Sequence, residues 1–163
     1  MQSFEYAHPK SLTEATALLG TDAAILAGGT DLLSLMKDYI ETPKRVVNIK
    51  GVKELGGIGK ASGGLRIGAT VTFDELLNHA AIRSEYPSLS AAVMGVASPQ
   101  IRNMGTVGGD LCQRPRCWYY RTGNGLLAMK GGKSLVVEGR ISITGFSATV
   151  RLISSALPAW DRC

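Results

Sequence analysis

Ile25-Leu26-Ala27-Gly28-Gly29-Thr30-Asp31-Leu32-Leu33 and, about eighty residues on, Ser98-Pro99-Gln100-Ile101-Arg102-Asn103-Met104-Gly105-Thr106-Val107-Gly108-Gly109-Asp110 decide how this chain reads. Each joins an apolar run to a Gly-Gly pair with hydroxyl or amide side chains alongside. Glycine lets the backbone approach a ligand closely, and its N–H groups can then face phosphate oxygens. Thr30 stands where a helix would begin, so a phosphate there would also meet a helix N-terminus. Two such segments in one chain predict a ligand with two phosphates, held from both sides.

Working outward from the first segment, Ser11-Leu12-Thr13-Glu14 is a capping box, followed by Ala15, Leu18 and Leu19 and closed by Gly20. That pattern predicts a short amphipathic helix. Ala23 to Ala27 is an apolar run of strand length, and Thr30 to Asp38 reads as a second helix. Arg45 to Ile49 reads as a strand, because Val46, Val47 and Ile49 are β-branched. Together these elements predict a small β-α-β-α-β unit ending near residue 51.

Gly56 to Gly64 suits a hairpin or a boundary, and Leu65 to Ala69 is the next predicted strand. Thr72-Phe73-Asp74-Glu75 is a second capping box, opening a helix through His79. Pro87 to Val96 predicts a further helix with Leu89, Ala92, Val93 and Val96 on one face. Ser98-Pro99 should end it, since a residue before proline avoids helical geometry. The second glycine segment follows as a loop, then a strand at Trp118-Tyr119-Tyr120 and a last segment at Leu135-Val136-Val137.

Four stretches carry a family likeness: Phe4-Glu5-Tyr6-Ala7-His8-Pro9-Lys10-Ser11-Leu12-Thr13-Glu14-Ala15, Ala27 to Leu32, Leu65-Arg66-Ile67-Gly68-Ala69-Thr70-Val71-Thr72, and Arg102 to Asp110. On these residues the chain resembles the flavin subunit of the molybdenum hydroxylases, the xanthine dehydrogenase and carbon monoxide dehydrogenase medium-subunit family. The likeness runs from residue 4 to about 139. It departs at Asp110, where that family more often has asparagine.

The resemblance implies an α/β (α+β) fold: a PCMH-type FAD-binding domain of two small α/β subdomains. They would span residues 1–55 and 56–139, the second incomplete, with the glycine segments facing one cleft. FAD is the implied cofactor. Leu26, Ala27, Gly28, Gly29, Thr30, Asp31 and Leu32 would form its first pyrophosphate loop. Asn103, Thr106, Gly108 and Gly109 would clasp the same diphosphate from the other side. Asp110 would accept a hydrogen bond from ribose or ring N–H, or else cap a turn. Ala69 and Thr70 would line the flavin side, or else simply pack after a strand. Gly29→Val is expected to abolish FAD retention with little change in fold, its methyls taking the space where backbone and pyrophosphate meet. The implied partners are a molybdenum-cofactor large subunit and a [2Fe–2S] small subunit. Electrons would pass from the molybdenum subunit through the iron–sulfur subunit to this flavin, then to NAD, oxygen or another acceptor.

Composition agrees with such a protein. The chain is 45% apolar and 19% charged, which suits a globular protein and not a disordered one. No apolar stretch approaches the ~20 residues of a membrane span, and no basic-then-apolar leader opens the chain. A cytoplasmic location and no membrane partner are expected. The net charge of +5 is spread along the chain. Arg114, Arg116 and Arg121 cluster beside Trp118, Tyr119 and Tyr120, a patch that reads as a subunit or cofactor contact more readily than as a nucleic-acid site.

Cys112, Cys117 and Cys163 are odd in number and do not suggest a disulfide framework. The Cys112–Cys117 pair lacks two further ligands for an iron–sulfur cluster. Some relatives carry a [4Fe–4S] cluster on a cysteine-bearing insertion after this point, but Arg121 to Lys130 has no cysteine. No metal site is expected. His8 and His79 read as surface or helix-end residues, and Asp74-Glu75 as helix capping. No Ser/His/Asp set, Walker motif or zinc spacing appears, so no catalytic residue is assigned. That fits a subunit whose cofactor carries the chemistry.

Residues 140–163 read unlike the rest, with neither helical nor strand periodicity. Synonymous codons for Phe146 to Asp161, read in a shifted frame, can yield Leu-Gly-Asn-Ser-Ala-Ala-Tyr-Phe-Val-Ser-Pro-Ser-Ser-Leu. The family continues in much that way. A frameshift near residue 139 is therefore expected, and with it a truncated product that would hold FAD weakly or be a non-catalytic remnant.

Overall fold

The computed structural model describes residues 1–114, 116, 119–124 and 129–134. It divides into two compact units, residues 1–113 and 114–163. The first mixes helix and sheet. Strand β1 (Glu5–Ala7), helix α1 (Leu12–Leu18), strand β2 (Ala23–Leu26), helix α2 (Leu32–Lys37) and strand β3 (Arg45–Asn48) follow one another along the chain. The strands form a parallel sheet in the order β1-β3-β2, with Val46 opposite both Tyr6 and Ala24. Parallel neighbours need crossovers, and the two helices supply them. Val46 and Val47 on the central strand are buried, which is where β-branched residues pack best.

The capping box expected for α1 forms in a shifted way. Ser11 Oγ accepts the Glu14 N–H at 3.2 Å, but the Glu14 carboxylate reaches back to the N–H of Lys10 at 2.7 Å. Leu19, in extended conformation, ends the helix one residue before Gly20, which takes no left-handed φ. Helix α2 begins at Leu32, two residues later than the Thr30 start expected, and the Asp31 side chain makes no capping bond.

Two short 3-10 turns, Ile49–Gly51 and Lys53–Leu55, lead to an antiparallel hairpin of β4 (Ile58–Ala61) and β5 (Gly64–Ile67). Ala61 pairs with Gly64, so the loop is Ser62-Gly63, with Gly63 at φ +78°. Helices α3 (Phe73–Asn78), α4 (Ala80–Glu85), α5 (Pro87–Met94), α6 (Pro99–Met104) and α7 (Val107–Leu111) complete the unit. The capping box of α3 is reciprocal: Glu75 N–H to Thr72 Oγ1 at 3.2 Å, and Thr72 N–H to the Glu75 carboxylate at 2.7 Å. Val71, Phe73, Leu76, Ile82 and Val93 form a buried core, with Ile58, Leu65, Ile67 and Val107 packed against it.

Three helices differ from expectation. His79 ends α3, where that helix was expected to stop, and at once caps α4, which the sequence reading did not include. Helix α5 ends earlier than expected, at Met94 with Gly95 as its cap, and Ser98-Pro99 instead starts α6: Ser98 Oγ accepts the Ile101 N–H and Pro99 takes the first position. The second glycine segment is therefore no open loop. It is helix α6, a turn at Gly105-Thr106, and helix α7.

In the second unit Tyr120–Asn124 forms a π-helical turn, and Tyr119 is helical as well, where a strand was expected. A two-residue turn at Gly131-Gly132, both at positive φ, joins β6 (Met129–Lys130) to β7 (Lys133–Ser134). Trp118, Leu135-Val136-Val137 and the tail at 140–163 lie outside the described residues.

Candidate functional site

The two glycine segments meet. Leu26 closes β2 opposite Asn48, and the chain turns through Ala27, Gly28 and Gly29 into α2. A Cβ on Gly28 would overlap the main-chain carbonyl of Met104 and lie 3.1 Å from the Gly105 Cα. Real Cβ atoms do not approach backbone so closely, so only glycine lets these segments touch. Gly105, itself buried, accepts the Phe73 N–H at 3.1 Å.

The second segment is fastened along Ala69 to Phe73. Val107 N–H donates to Val71 O and Gly108 N–H to Ala69 O, both at 2.9 Å. A Cβ on Gly108 would stand 2.7 Å from that of Ala69. Thr70 is tied elsewhere: its hydroxyl and its N–H both donate to Leu55 O, at 3.0 and 2.9 Å. Thr106 is 2% exposed, and its hydroxyl accepts the Gly109 N–H at 3.2 Å, capping α7.

The structure thus gathers Leu26 to Leu32, Ala69-Thr70, and Thr106, Gly108 and Gly109 around two backbone contacts, Gly28 with Met104–Gly105 and Gly108 with Ala69. Asn103 and Asp110 are exposed, on α6 and α7. Sequence reasoning missed the main chain of Met104, the buried Gly105, and Gly68, where a Cβ would strike Leu55 O and Gly56. Their signal was a glycine inside each matching stretch, which marks close backbone approach.

Donors are distributed unevenly. The N–H groups of Val107, Gly108 and Gly109 are all engaged inside the chain. Among the described residues none accepts a hydrogen bond from the N–H of Gly28, Gly29 or Thr30. Backbone N–H groups left unpaired need water or a ligand. Three in succession beside a glycine at positive φ suit an anion's oxygens. Two hollows in the described surface lie elsewhere, beside the Lys44–Asp22 ion pair and between the β4–β5 hairpin and His79–Tyr86.

Among the described residues no cluster of His, Cys, Asp and Glu could hold a metal ion, and no helix is long and apolar enough to cross a membrane. Cys112 is exposed with a free thiol, and Cys117 lies outside the described residues. His79 sits at the α3–α4 junction, its Nδ1 buried without a hydrogen-bond partner among the described residues.

The family described as the FAD binding domain in molybdopterin dehydrogenase matches residues 2–140. The nicotinate dehydrogenase FAD-subunit of Eubacterium barkeri is 45% identical over 115 residues, covering 68% of this chain and 39% of that protein. The aldehyde oxidoreductase FAD-binding subunit PaoB of Escherichia coli is 38% identical over 153 residues, covering 90% of this chain and 46% of its own length. The structure of carbon monoxide dehydrogenase from Hydrogenophaga pseudoflava matches with a TM-score of 0.65 at 40% identity, over 68% of this chain and 39% of that one. Quinoline 2-oxidoreductase from Pseudomonas putida 86 matches with a TM-score of 0.67 at 34% identity, over 69% of this chain and 40% of that one. The chain therefore spans less than half the length of these relatives. With the family matched over residues 2–140 and the fold shared with its solved structures, the chain belongs to the FAD-binding domain family of the molybdopterin dehydrogenases, whose cofactor is FAD.

Proposed function

We propose that this chain holds FAD as the electron-transfer part of a molybdenum-containing hydroxylase or dehydrogenase. It would take electrons from an iron–sulfur partner and pass them to an acceptor. The observation that supports this reading is the run of N–H groups at Gly28, Gly29 and Thr30 with no acceptor among the described residues, on a turn closed from behind by Met104 and Gly105. When bound, FAD supplies the redox chemistry, and the protein's part is to place it and exclude water.

In this reading the residues divide the work. Gly28, Gly29 and Thr30 would donate to the diphosphate, with the exposed Thr30 hydroxyl as a further donor. Leu26, Ala27, Asp31 and Leu32 shape the turn. Gly108 and Gly109, whose N–H groups are engaged within the chain, would let the facing segment pack tightly, since a Cβ at either would stand 2.7 Å from Ala69 or 2.8 Å from Thr106. Thr106 would hold that segment rigid. Ala69 and Thr70 would back it on the flavin side, and Asn103 and Asp110 would reach the ligand from the rim. The two subdomains would be residues 1–55 and 56–139, and the partners the molybdenum-cofactor and [2Fe–2S] subunits.

The test is flavin titration of the purified full chain, followed by fluorescence quenching. Saturable, stoichiometric uptake of FAD, weakened by pyrophosphate competition, is expected. A chain that takes up no flavin while folded would overturn the reading.

A further inference from the structure

Arg102 lies within the second glycine segment, on helix α6. Arg102 is half-buried, and among the described residues no carboxylate pairs with it. Instead Nη1 donates to the carbonyl of Val96 at 2.8 Å, with longer contacts of 3.4 Å to the carbonyls of Met94 and Ala97. These are the last carbonyls of α5 and the turn beyond it, which have no partner within the helix. A cation is the fitting cap for them.

That turn is strained. Ala97 has φ +37°, a conformation L residues rarely adopt. Directly after it Ser98 caps α6, and Arg102 N–H returns to Ser98 O at 2.9 Å. The far end of the same helix, Met104–Gly105, is the surface against which Gly28 packs. Helix α6 is therefore a short strut. One end is fastened to the strained turn by Arg102, and the other sets the back wall of the first glycine turn.

We propose that Arg102 is a positioning residue: by clamping the Met94–Ala97 turn it sets α6, and through Met104–Gly105 the geometry of the Gly28–Thr30 donors. Its consequence for FAD rests on the function proposed above; the clamp itself does not.

The test compares wild type, Arg102→Ala, Ala97→Gly and the double variant of the full chain. Amide hydrogen exchange across residues 94–106 is read without flavin, and FAD affinity by titration. Arg102→Ala should speed exchange across this segment and weaken FAD binding by about tenfold, in the range one coupled contact can supply. Ala97→Gly alone should change little. In the double variant it should restore much of both losses, because glycine takes φ +37° freely and the turn no longer needs the clamp. A merely structural surface arginine would show no such rescue. Unchanged exchange in Arg102→Ala, or a double variant no better than Arg102→Ala, would overturn the proposal. If Arg102→Ala does not fold, Arg102→Lys carries the same comparison with a smaller expected effect, since one ammonium on a shorter reach serves fewer carbonyls. Wild type that binds no FAD would sink the proposed function alone. The exchange data would still decide the clamp.

Discussion

The main-chain carbonyl of Met104 lies where a side chain on Gly28 would have to go. This contact joins two segments far apart in the sequence. It accounts for the first glycine of the Gly-Gly pair without appeal to a ligand: the position is closed by protein on one side before any phosphate arrives.

Gly28→Ala should therefore destabilise the flavin-free protein. The new methyl can relax only by moving backbone, and overpacking of that kind costs about 1–3 kcal/mol. Urea unfolding without FAD should show the loss, with weaker flavin uptake in parallel. An unchanged midpoint would mean that the two segments do not meet in solution.

The second glycine of the pair is required for another reason. Gly29 has φ +75°, and its missing Cβ would face the side chains of Leu26 and Leu33, at 3.0 and 3.4 Å. The expectation that a side chain here would displace the pyrophosphate and spare the fold is thus revised, because the added atoms point into the apolar side of the turn. Stability should fall in the order Gly29→Asn, Gly29→Ala, Gly29→Val. Asparagine tolerates left-handed geometry, whereas for other L residues it costs about 1–2 kcal/mol and branching adds crowding. Thermal unfolding of the three variants checks the ranking. Valine as stable as asparagine would mean that the turn is not left-handed.

What the sequence made legible was whatever is fixed locally. Ser11 with Glu14 and Thr72 with Glu75 announce helix starts because cap and partner lie within one turn. Val46 and Val47 announce the central strand through their own shape and burial. The misses share a cause. At His79 one residue serves two helices, and Ser98-Pro99, whose proline suggests a stop, is the start of α6 while α5 has already ended at Gly95. Gly108 and Gly109 hide α7, because glycine is a poor helix former and the Thr106 cap and the bonds to Ala69 and Val71 help to hold the turn. Glycines at the site were legible as residues, but not their division of labour. Whether a glycine N–H is engaged depends on which segment lies opposite.

Thr72→Ala tests the cap that starts α3. The Thr72 hydroxyl accepts from Glu75 N–H, and its backbone N–H is held by the Glu75 carboxylate. Losing such a cap costs about 0.5–2 kcal/mol. Thr72 also bridges to Thr106, so faster amide exchange should spread from residues 73–76 into 106–109. Exchange confined to α3 would show that the cap does not steady the second glycine segment.

Thr106 probes that segment from within, because it is buried there and its hydroxyl caps α7. That hydroxyl holds the Gly109 N–H at 3.2 Å, and the residue is 2% exposed. Thr106→Ser keeps the hydroxyl and should leave both stability and FAD affinity close to wild type. Thr106→Val keeps the shape and removes the acceptor, leaving a donor at the start of α7 unpaired, at a cost of about 0.5–2 kcal/mol. If the segment forms the second wall of the cleft, flavin affinity should fall together with that stability, by roughly three- to thirtyfold at ~1.4 kcal/mol per decade. Urea unfolding and flavin titration of the two variants give both quantities. A valine variant with lost stability but undiminished affinity would show that α7 is scaffold and not part of the FAD site.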